Sequence, residues 1–140
     1  RFEYHYKSEH TIYIDDYAHH PTEIEAAILA AKALYPERKL ITVFQPHLFS
    51  RTRDFADGFA AELDKLDEII LMDIYPAREL PIPGVSSEMI YHKMKNHNKK
   101  LVTKETLMDV LKGYQPEILM TLGAGDIDTF VPKIKDFLNQ

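Results

Sequence analysis

Side chains able to bind a ligand or transfer a proton are concentrated in one stretch near the start of the sequence. An apolar run at residues 12–14 ends in the carboxylates of Asp15 and Asp16, and His19 and His20 follow shortly after. The run is typical of a strand, and the proline after the imidazoles suits the first turn of a helix. Open α/β sheets bind ligands where strands end and helices begin. We therefore predict a ligand site at the end of this strand.

A second polar stretch combines two arginines with a helix start. Ser50 is a plausible N-cap, which places Arg51 and Arg53 in the first turn of a helix. The helix dipole disfavours cations there by a few tenths to ~1 kcal/mol each. The unpaired amides and the arginine forks both attract an anion, which would offset this cost. The alternative is that Asp54 and Asp57 neutralise the arginines at the surface.

The carboxylates and imidazoles each allow more than one interpretation. Asp15 and Asp16 could form a turn or cap, hold Mg²⁺, or accept hydrogen bonds from sugar hydroxyls. His19 and His20 could bind zinc, but adjacent residues rarely point the same way and His47 is the one evident third ligand. Polar contacts to a substrate, or capping of the following helix, are favoured. We predict no metal site.

A glycine-rich turn lies near the end of the sequence. Gly123-Ala124-Gly125-Asp126 follows an apolar run and resembles half of a dinucleotide fingerprint, but Asp128 stands in the place of the third glycine. A tight turn that allows close backbone approach is therefore the preferred interpretation. The sequence contains no G-x-x-x-x-G-K-[ST] phosphate loop. If ATP is used, its phosphates must be held mainly by other groups.

Alternating strand and helix patterns must position these residues. Strand patterns cover residues 2–7, 11–15, 39–44, 67–74, 101–102 and 117–122, and helix patterns begin near residues 21, 50, 86, 104 and 130. The short link between the first two strands predicts a hairpin with an antiparallel edge strand. The other connections predict right-handed crossovers in a parallel sheet. The fold class is α/β: a Rossmann-like, three-layer α/β/α domain with a six-stranded, mostly parallel sheet.

Finer features of the first two helices can also be predicted. Thr22 and Glu25 have the spacing of a capping box. Leu34 continues the apolar stripe of the first helix, and Phe55 that of the second. Both side chains are therefore predicted to face the sheet.

Length and composition narrow the class of protein. A chain of 140 residues is expected to form one domain. The absence of cysteine excludes thiol catalysis and disulfides and fits a reducing compartment. A net charge of −5 argues against a nucleic-acid partner. No apolar run approaches the ~20 residues of a membrane span. Because the sequence begins with Arg1, we expect it to be a piece of a longer protein.

A receiver domain that accepts a phosphoryl group is an alternative from another class. The early acidic pair fits it, as does Asp73 near the end of a middle strand. Such a domain carries a lysine at the end of its last strand, where this sequence has Leu122 and Gly123. The antiparallel first strand also fits poorly, so the sequence disfavours this class.

Four motifs, in matching order along essentially the whole chain, resemble the C-terminal domain of the Mur ligase family. They are DDYAHHPTE at 15–23, FQPH with SRTRD between 44 and 54, YPA with PIPG between 75 and 84, and GAGD at 123–126. The resemblance is to members that add L-alanine to UDP-N-acetylmuramate in cytoplasmic peptidoglycan synthesis. It implies ATP-dependent amide formation through an acyl phosphate. A murein tripeptide ligase of the same family and a stand-alone nucleotide- or anion-binding module remain alternatives.

The resemblance also implies how the work is divided between domains. Residues 1–140 would be the closing domain on the amino-acid side, inactive alone. Absent central and N-terminal domains would hold UDP-N-acetylmuramate and most of the ATP and Mg²⁺. The implied nucleotide contacts are Arg1 to the ATP phosphates and Asp16 to the ribose. The predicted substrate contacts are His19, His20 and Arg51, with His47 and Arg53 as weaker candidates. Many relatives carry an arginine in place of Leu48, so one anion contact is expected to be missing or supplied elsewhere.

Overall fold

The computed structural model describes residues 2–140 and has one six-stranded sheet between two helical layers. The strands are β1 (Glu3–Lys7), β2 (Ile12–Asp16), β3 (Leu40–Phe44), β4 (Glu68–Met72), β5 (Lys99–Val102) and β6 (Ile118–Leu122). The helices are α1 (Pro21–Leu34), α2 (Phe49–Leu63), α3 (Ser87–Lys93), α4 (Leu107–Leu111) and α5 (Val131–Leu138), with a 3₁₀ helix at Asp126–Phe130. The predicted α/β fold is confirmed.

The strand order places four strand ends side by side. The sheet runs β1-β2-β6-β3-β4-β5, with β1 antiparallel to β2 and the other neighbours parallel. Asp16 pairs with Leu122, Leu122 with Phe44, and Phe44 with Leu71. The loops after β2, β6, β3 and β4 therefore leave the sheet from one edge, which is where α/β sheets bind ligands.

Each face of the sheet carries its own apolar core. One face packs against α1, α2 and α3, and its buried side chains include Ile14, Phe44 and Phe59. The other packs against α4, the 3₁₀ helix and α5 around Tyr13 and Ile134. Both faces of the central strands are covered, which explains why β3, β4 and β6 consist mostly of apolar residues. Within residues 2–140, no helix is long and apolar enough to span a bilayer.

Two apolar side chains are more exposed than their helical stripes predicted. Leu34 is 56% exposed because it is the last residue of α1. Phe55 is 39% exposed and lies at a kink in α2, where its own φ is −120°. Its ring contacts that of His20, with centroids 4.5 Å apart, instead of entering the core.

Candidate functional site

The turn between β2 and α1 is closed by its own residues. The Asp16 Oδ1 accepts the Ala18 N–H at 2.9 Å, and the His19 N–H donates to Glu23 Oε1 at 3.1 Å. The helix begins after His20, which occupies the N-cap position. Short side-chain acceptors of this kind fix a turn without help from distant parts of the chain. Turn formation, one of the open interpretations of the acidic pair, is therefore confirmed for Asp16.

The predicted capping box at the start of α1 is wrong. Thr22 is the second residue of the helix and is exposed. Glu25 forms an ion pair with Lys65 just beyond α2, at 3.2 Å. The carboxylate that reaches back over the helix start belongs to Glu23. The helix therefore begins about two residues earlier than the capping-box spacing predicts.

Asp15 is part of a buried hydrogen-bond network. It is 5% exposed and accepts the Thr121 hydroxyl at 2.5 Å, and Thr121 Oγ1 also lies 2.9 Å from the Tyr13 hydroxyl. Burial raises the pKa of Asp15, and the Thr121 hydrogen bond partly opposes that rise. The ligand atoms of Glu3, His5 and Asp15 lie within 4.8 Å of one another, a donor set that suits a divalent cation. The hydrogen bonds already account for Asp15 as a structural residue, so we assign no metal to it.

The start of α2 depends on a carboxylate from another part of the chain. The N-cap is Leu48, which has a φ of +72°, a value uncommon for a residue with a Cβ. The prediction that Ser50 is the N-cap is therefore wrong, since Ser50 lies inside the helix. The Ser50 N–H donates to Glu79 Oε1 at 3.0 Å, and its hydroxyl donates to Glu79 Oε2. The N–H and the hydroxyl of Ser50 are thus satisfied by a carboxylate of the same chain.

His19, His47, Arg51 and Tyr75 form one group, here called the rim cluster. The Arg51 guanidinium donates to His47 Nδ1 at 3.0 Å. The His47 and Tyr75 rings are nearly parallel, with centroids 5.7 Å apart, and the His19 ring meets His47 edge-on at 5.8 Å. Residues from three different loops therefore meet at the carboxyl edge of the sheet.

The protonation state of His47 follows from its surroundings. Burial lowers the pKa of His47, and electrostatic interactions with Arg51 and then His19 lower it further, while Glu79 acts in the opposite direction. A histidine with a pKa below its ordinary value of about 6.5 is mostly neutral at pH 7. The Nδ1 atom of a neutral ring can accept the hydrogen bond from Arg51, whereas an imidazolium has no acceptor nitrogen and would repel the guanidinium.

Two of the predicted site residues lie apart from the rim cluster. Arg53 forms an exposed ion pair with Asp54 at 2.8 Å, which confirms surface neutralisation for this arginine. The hydrogen bond from Arg53 lowers the pKa of Asp54. Among the described residues, Asp57 pairs with Lys93 at 2.9 Å and not with Arg51 or Arg53. His20 packs on the Phe55 ring.

The glycine turn after β6 allows close approach of the neighbouring loops, as predicted. Gly123 has a φ of +141°, and a Cβ there would lie 2.8 Å from the Gln45 carbonyl oxygen. A Cβ on Gly125 would lie 2.5 Å from the Tyr75 Cβ. Sequence reasoning missed Gln45, which is buried and donates to Asp126 Oδ1 at 2.6 Å while accepting the Ile127 N–H at 2.8 Å. A lone amide directly after a buried strand was the available signal.

Comparison with known proteins decides the family. Residues 1–127 match the family described as Mur ligase, glutamate ligase domain. The chain belongs to the Mur ligase family. A UDP-N-acetylmuramate–L-alanine ligase from Flavobacterium johnsoniae is 58% identical over the whole chain, which spans 31% of the length of that protein.

Solved structures show the same fold for this Mur ligase domain. A crystal structure of UDP-N-acetylmuramate-alanine ligase from Thermotoga maritima has a TM-score of 0.70 at 25% identity, over 90% of this chain and 26% of that one. A murein peptide ligase from Psychrobacter arcticus has a TM-score of 0.77 over 99% of this chain and 29% of that one. At 15% identity, the second likeness shows the fold alone. The receiver-domain alternative is thereby ruled out.

A hollow on the Mur ligase domain continues from the rim cluster past Asp16. Its volume is about 370 Å³, and its lining includes Phe2, Asp16 and Tyr17 as well as His19. Since His19 also contacts His47, the hollow and the rim cluster adjoin. Asp16, His19 and Arg51 thus lie along one edge, as predicted. A larger cavity of about 510 Å³ lies further along the same edge, at the ends of β4 and β5, and its lining includes Phe49 at the start of α2. Arg1, predicted to reach the ATP phosphates, lies outside the described residues.

Proposed function

We propose that this domain belongs to an ATP-dependent ligase that adds L-alanine to UDP-N-acetylmuramate in bacterial peptidoglycan synthesis. In this proposal the domain is the closing, amino-acid-side part of a three-domain cytoplasmic enzyme. The observation that carries the proposal is the meeting of His19, His47 and Arg51 at one sheet edge. The 58% identity to a ligase of that name supports the choice of substrates.

The proposed reaction proceeds in two steps. The terminal phosphoryl group of ATP passes to the carboxylate of UDP-N-acetylmuramate, giving an acyl phosphate and ADP. The amine of L-alanine then attacks the acyl carbon, an amide bond forms, and phosphate leaves as the amine loses its proton. ATP and Mg²⁺ would be bound mainly by the central domain, with Arg1 reaching the phosphates and Asp16 accepting from the ribose hydroxyls.

Arg51 is the residue to which we give the main role on this domain. Its guanidinium can hold the carboxylate of L-alanine through two parallel hydrogen bonds, leaving the amine of the substrate available for attack. The neutral His47 ring orients this guanidinium without adding a competing positive charge. His19 lies next to both groups and would contact the substrate. Substrate contacts by His20 and Arg53 remain predictions, and these side chains are engaged by Phe55 and Asp54.

Replacement of Arg51 in the full-length enzyme tests this role. Loss of a charge-assisted contact costs about 1.5–3 kcal/mol, so Arg51→Ala should raise KM for alanine, or lower kcat/KM, by roughly ten- to a hundredfold. KM for ATP should stay close to the wild-type value. The matched control is Arg38→Ala, because Arg38 bonds the Glu9 carbonyl at the amino ends of β2 and β3, the sheet edge opposite the site. Wild-type kinetics for Arg51→Ala would overturn the assignment.

The competing functions have their own tests. A stand-alone nucleotide-binding module predicts micromolar ATP binding by residues 1–140 alone, measured by calorimetry, whereas our proposal predicts much weaker binding. A tripeptide ligase predicts that the full-length enzyme prefers murein tripeptide over L-alanine as the second substrate. Either of these results would refute the proposed function.

A further inference from the structure

The first turn of α2 lacks any local means of satisfying its backbone. The N-cap Leu48 carries no polar side-chain atom. The first turn of this helix, all of which the structure describes, contains Arg51 and no acidic residue. The first N–H groups of a helix need acceptors, and the positive end of the dipole favours a negative one. The helix that presents Arg51 is therefore unfavourable at its start unless another segment supplies an anion.

Glu79 supplies that anion from 29 residues further along the chain. Its carboxylate is partly buried and accepts both the N–H and the hydroxyl of Ser50. These hydrogen bonds lower the pKa of Glu79, so it stays ionised at neutral pH. A carboxylate held by two donors at a helix start acts as a remote cap.

The segment that carries Glu79 also holds the other half of the rim cluster. The Leu48 N–H donates to the Tyr75 carbonyl at 2.9 Å, and the Tyr75 N–H donates to the Pro46 carbonyl at 2.8 Å. The Glu79 N–H donates to the Pro76 carbonyl at 2.9 Å, which folds the segment back toward α2. The ring of Tyr75 lies along that of His47. Residues 75–79 thus contact both the imidazole and the helix turn that present the guanidinium.

We propose that Glu79 is a positioning residue for amino-acid binding: it caps α2 and so fixes Arg51 at the rim cluster. The inference rests on the proposed function, because it assigns a purpose to the orientation of Arg51. In this role Glu79 acts on substrate binding indirectly, through the helix turn that carries Arg51. Glu79 also places a negative charge near His47, which faces three other charged or titratable groups: Arg51 on α2, His19 before α1 and Tyr75 after β4.

Kinetics of the full-length enzyme test the positioning role. Glu79→Ala should raise KM for alanine roughly tenfold, the scale of one lost charge-assisted hydrogen bond, with KM for ATP within about twofold of wild type. Glu79→Gln keeps an acceptor for the Ser50 N–H and should recover most of this loss. Ser50→Ala removes the hydroxyl contact alone and should fall in between. Glu88→Gln, on α3, is the control for loss of a carboxylate elsewhere.

Two results would overturn the inference. One is a Glu79→Ala enzyme with wild-type KM for alanine. The other is an equal rise of both KM values, or a fall in thermal stability with unchanged KM, which indicates a purely structural role. Rescue by Glu79→Gln together with a selective change in KM for alanine supports positioning.

A second readout separates this inference from the proposed function. In the full-length protein with labelled histidine, Glu79→Gln should shift the NMR titration of His47 to lower pH, because a negative charge that favours the imidazolium has been removed. Glu88→Gln should leave that titration in place. If the shift occurs but the wild-type enzyme does not use alanine, the Glu79 carboxylate lies beside the rim cluster as the structure has it, and the proposed substrate is wrong. If alanine is used and the titration does not move, the inference about Glu79 is wrong.

Discussion

The two helices that carry the candidate site begin in different ways. The start of α1 is held by groups close in sequence: Asp16 bonds Ala18, and His19 bonds Glu23. The start of α2 is held by the segment 75–79, which supplies a carboxylate and a carbonyl from beyond β4. One half of the site is therefore determined locally and the other by tertiary contacts.

This difference corresponds to the ligands we assign to each half. The α1 side faces the hollow at Asp16, where we propose that the nucleotide ribose binds. The α2 side carries Arg51, which we propose binds the carboxylate of L-alanine. An arginine held by a separate loop can shift when that loop shifts, whereas the α1 turn is closed by hydrogen bonds of its own. The comparison predicts that changes in the 75–79 segment affect the amino-acid side while leaving the α1 turn intact.

The largest effect is expected where the glycine turn touches that segment. In Gly125→Ala the new methyl group would lie 2.5 Å from the Tyr75 Cβ and 2.6 Å from Gln45 Oε1. Overpacking of this kind costs about 1–3 kcal/mol, so the free energy of unfolding in urea should fall by that amount. Gly113→Ala is the matched control, since its Cβ would meet only the Val110 carbonyl at 3.4 Å. Equal stability of the two variants would contradict the close packing of Tyr75 on the glycine turn.

A smaller effect is expected from the titration of His47. Its pKa is lowered in the folded protein by burial and by Arg51, so the folded state takes up its proton less readily than the unfolded state. Stability from this group is present above the unfolded pKa, about 6.5, and is lost as pH falls toward the folded value. His47→Gln keeps an acceptor for Arg51 but cannot titrate there. Between pH 8 and pH 5.5, the free energy of unfolding in urea should fall less for His47→Gln than for the wild type. Equal decreases in the two proteins would refute this prediction.

The same comparison explains how far the sequence could predict the site. The strand at Ile12–Asp16 followed from its apolar run, although it pairs with β6 far along the chain. The helix start at Pro21 followed from residue types, because the contacts that close the turn before it are local. Arg51 was correctly placed in a first turn, although Ser50 was wrongly taken as the N-cap. The positive φ of Leu48 and the role of Glu79 could not be predicted, because both depend on a loop that folds against α2 from 29 residues away.

Phe55 and Gln45 show the same limit of sequence-based prediction: one is apolar and partly exposed, and the other is polar and buried. A helical stripe correctly placed Phe59 in the core but also predicted burial of Phe55, which a kink in α2 turns toward His20. Gln45 is polar and was not singled out, yet it is buried because the glycine turn supplies hydrogen-bond partners for its amide. Periodicity predicts which face of a helix is covered, but not the local bends and partners that the tertiary fold adds.

The smallest effect is expected at Thr22, and it tests the local half of the comparison. If Thr22 were an N-cap, as the capping-box spacing suggests, Thr22→Ala would cost about 1 kcal/mol. Because the structure places it inside α1 and exposed, the change should alter the free energy of unfolding by less than about 0.5 kcal/mol. Glu23→Ala removes the acceptor of the His19 N–H and should destabilise more than Thr22→Ala. The reverse order would mean that α1 starts at the capping box after all, and that its turn is not closed by Asp16 and Glu23.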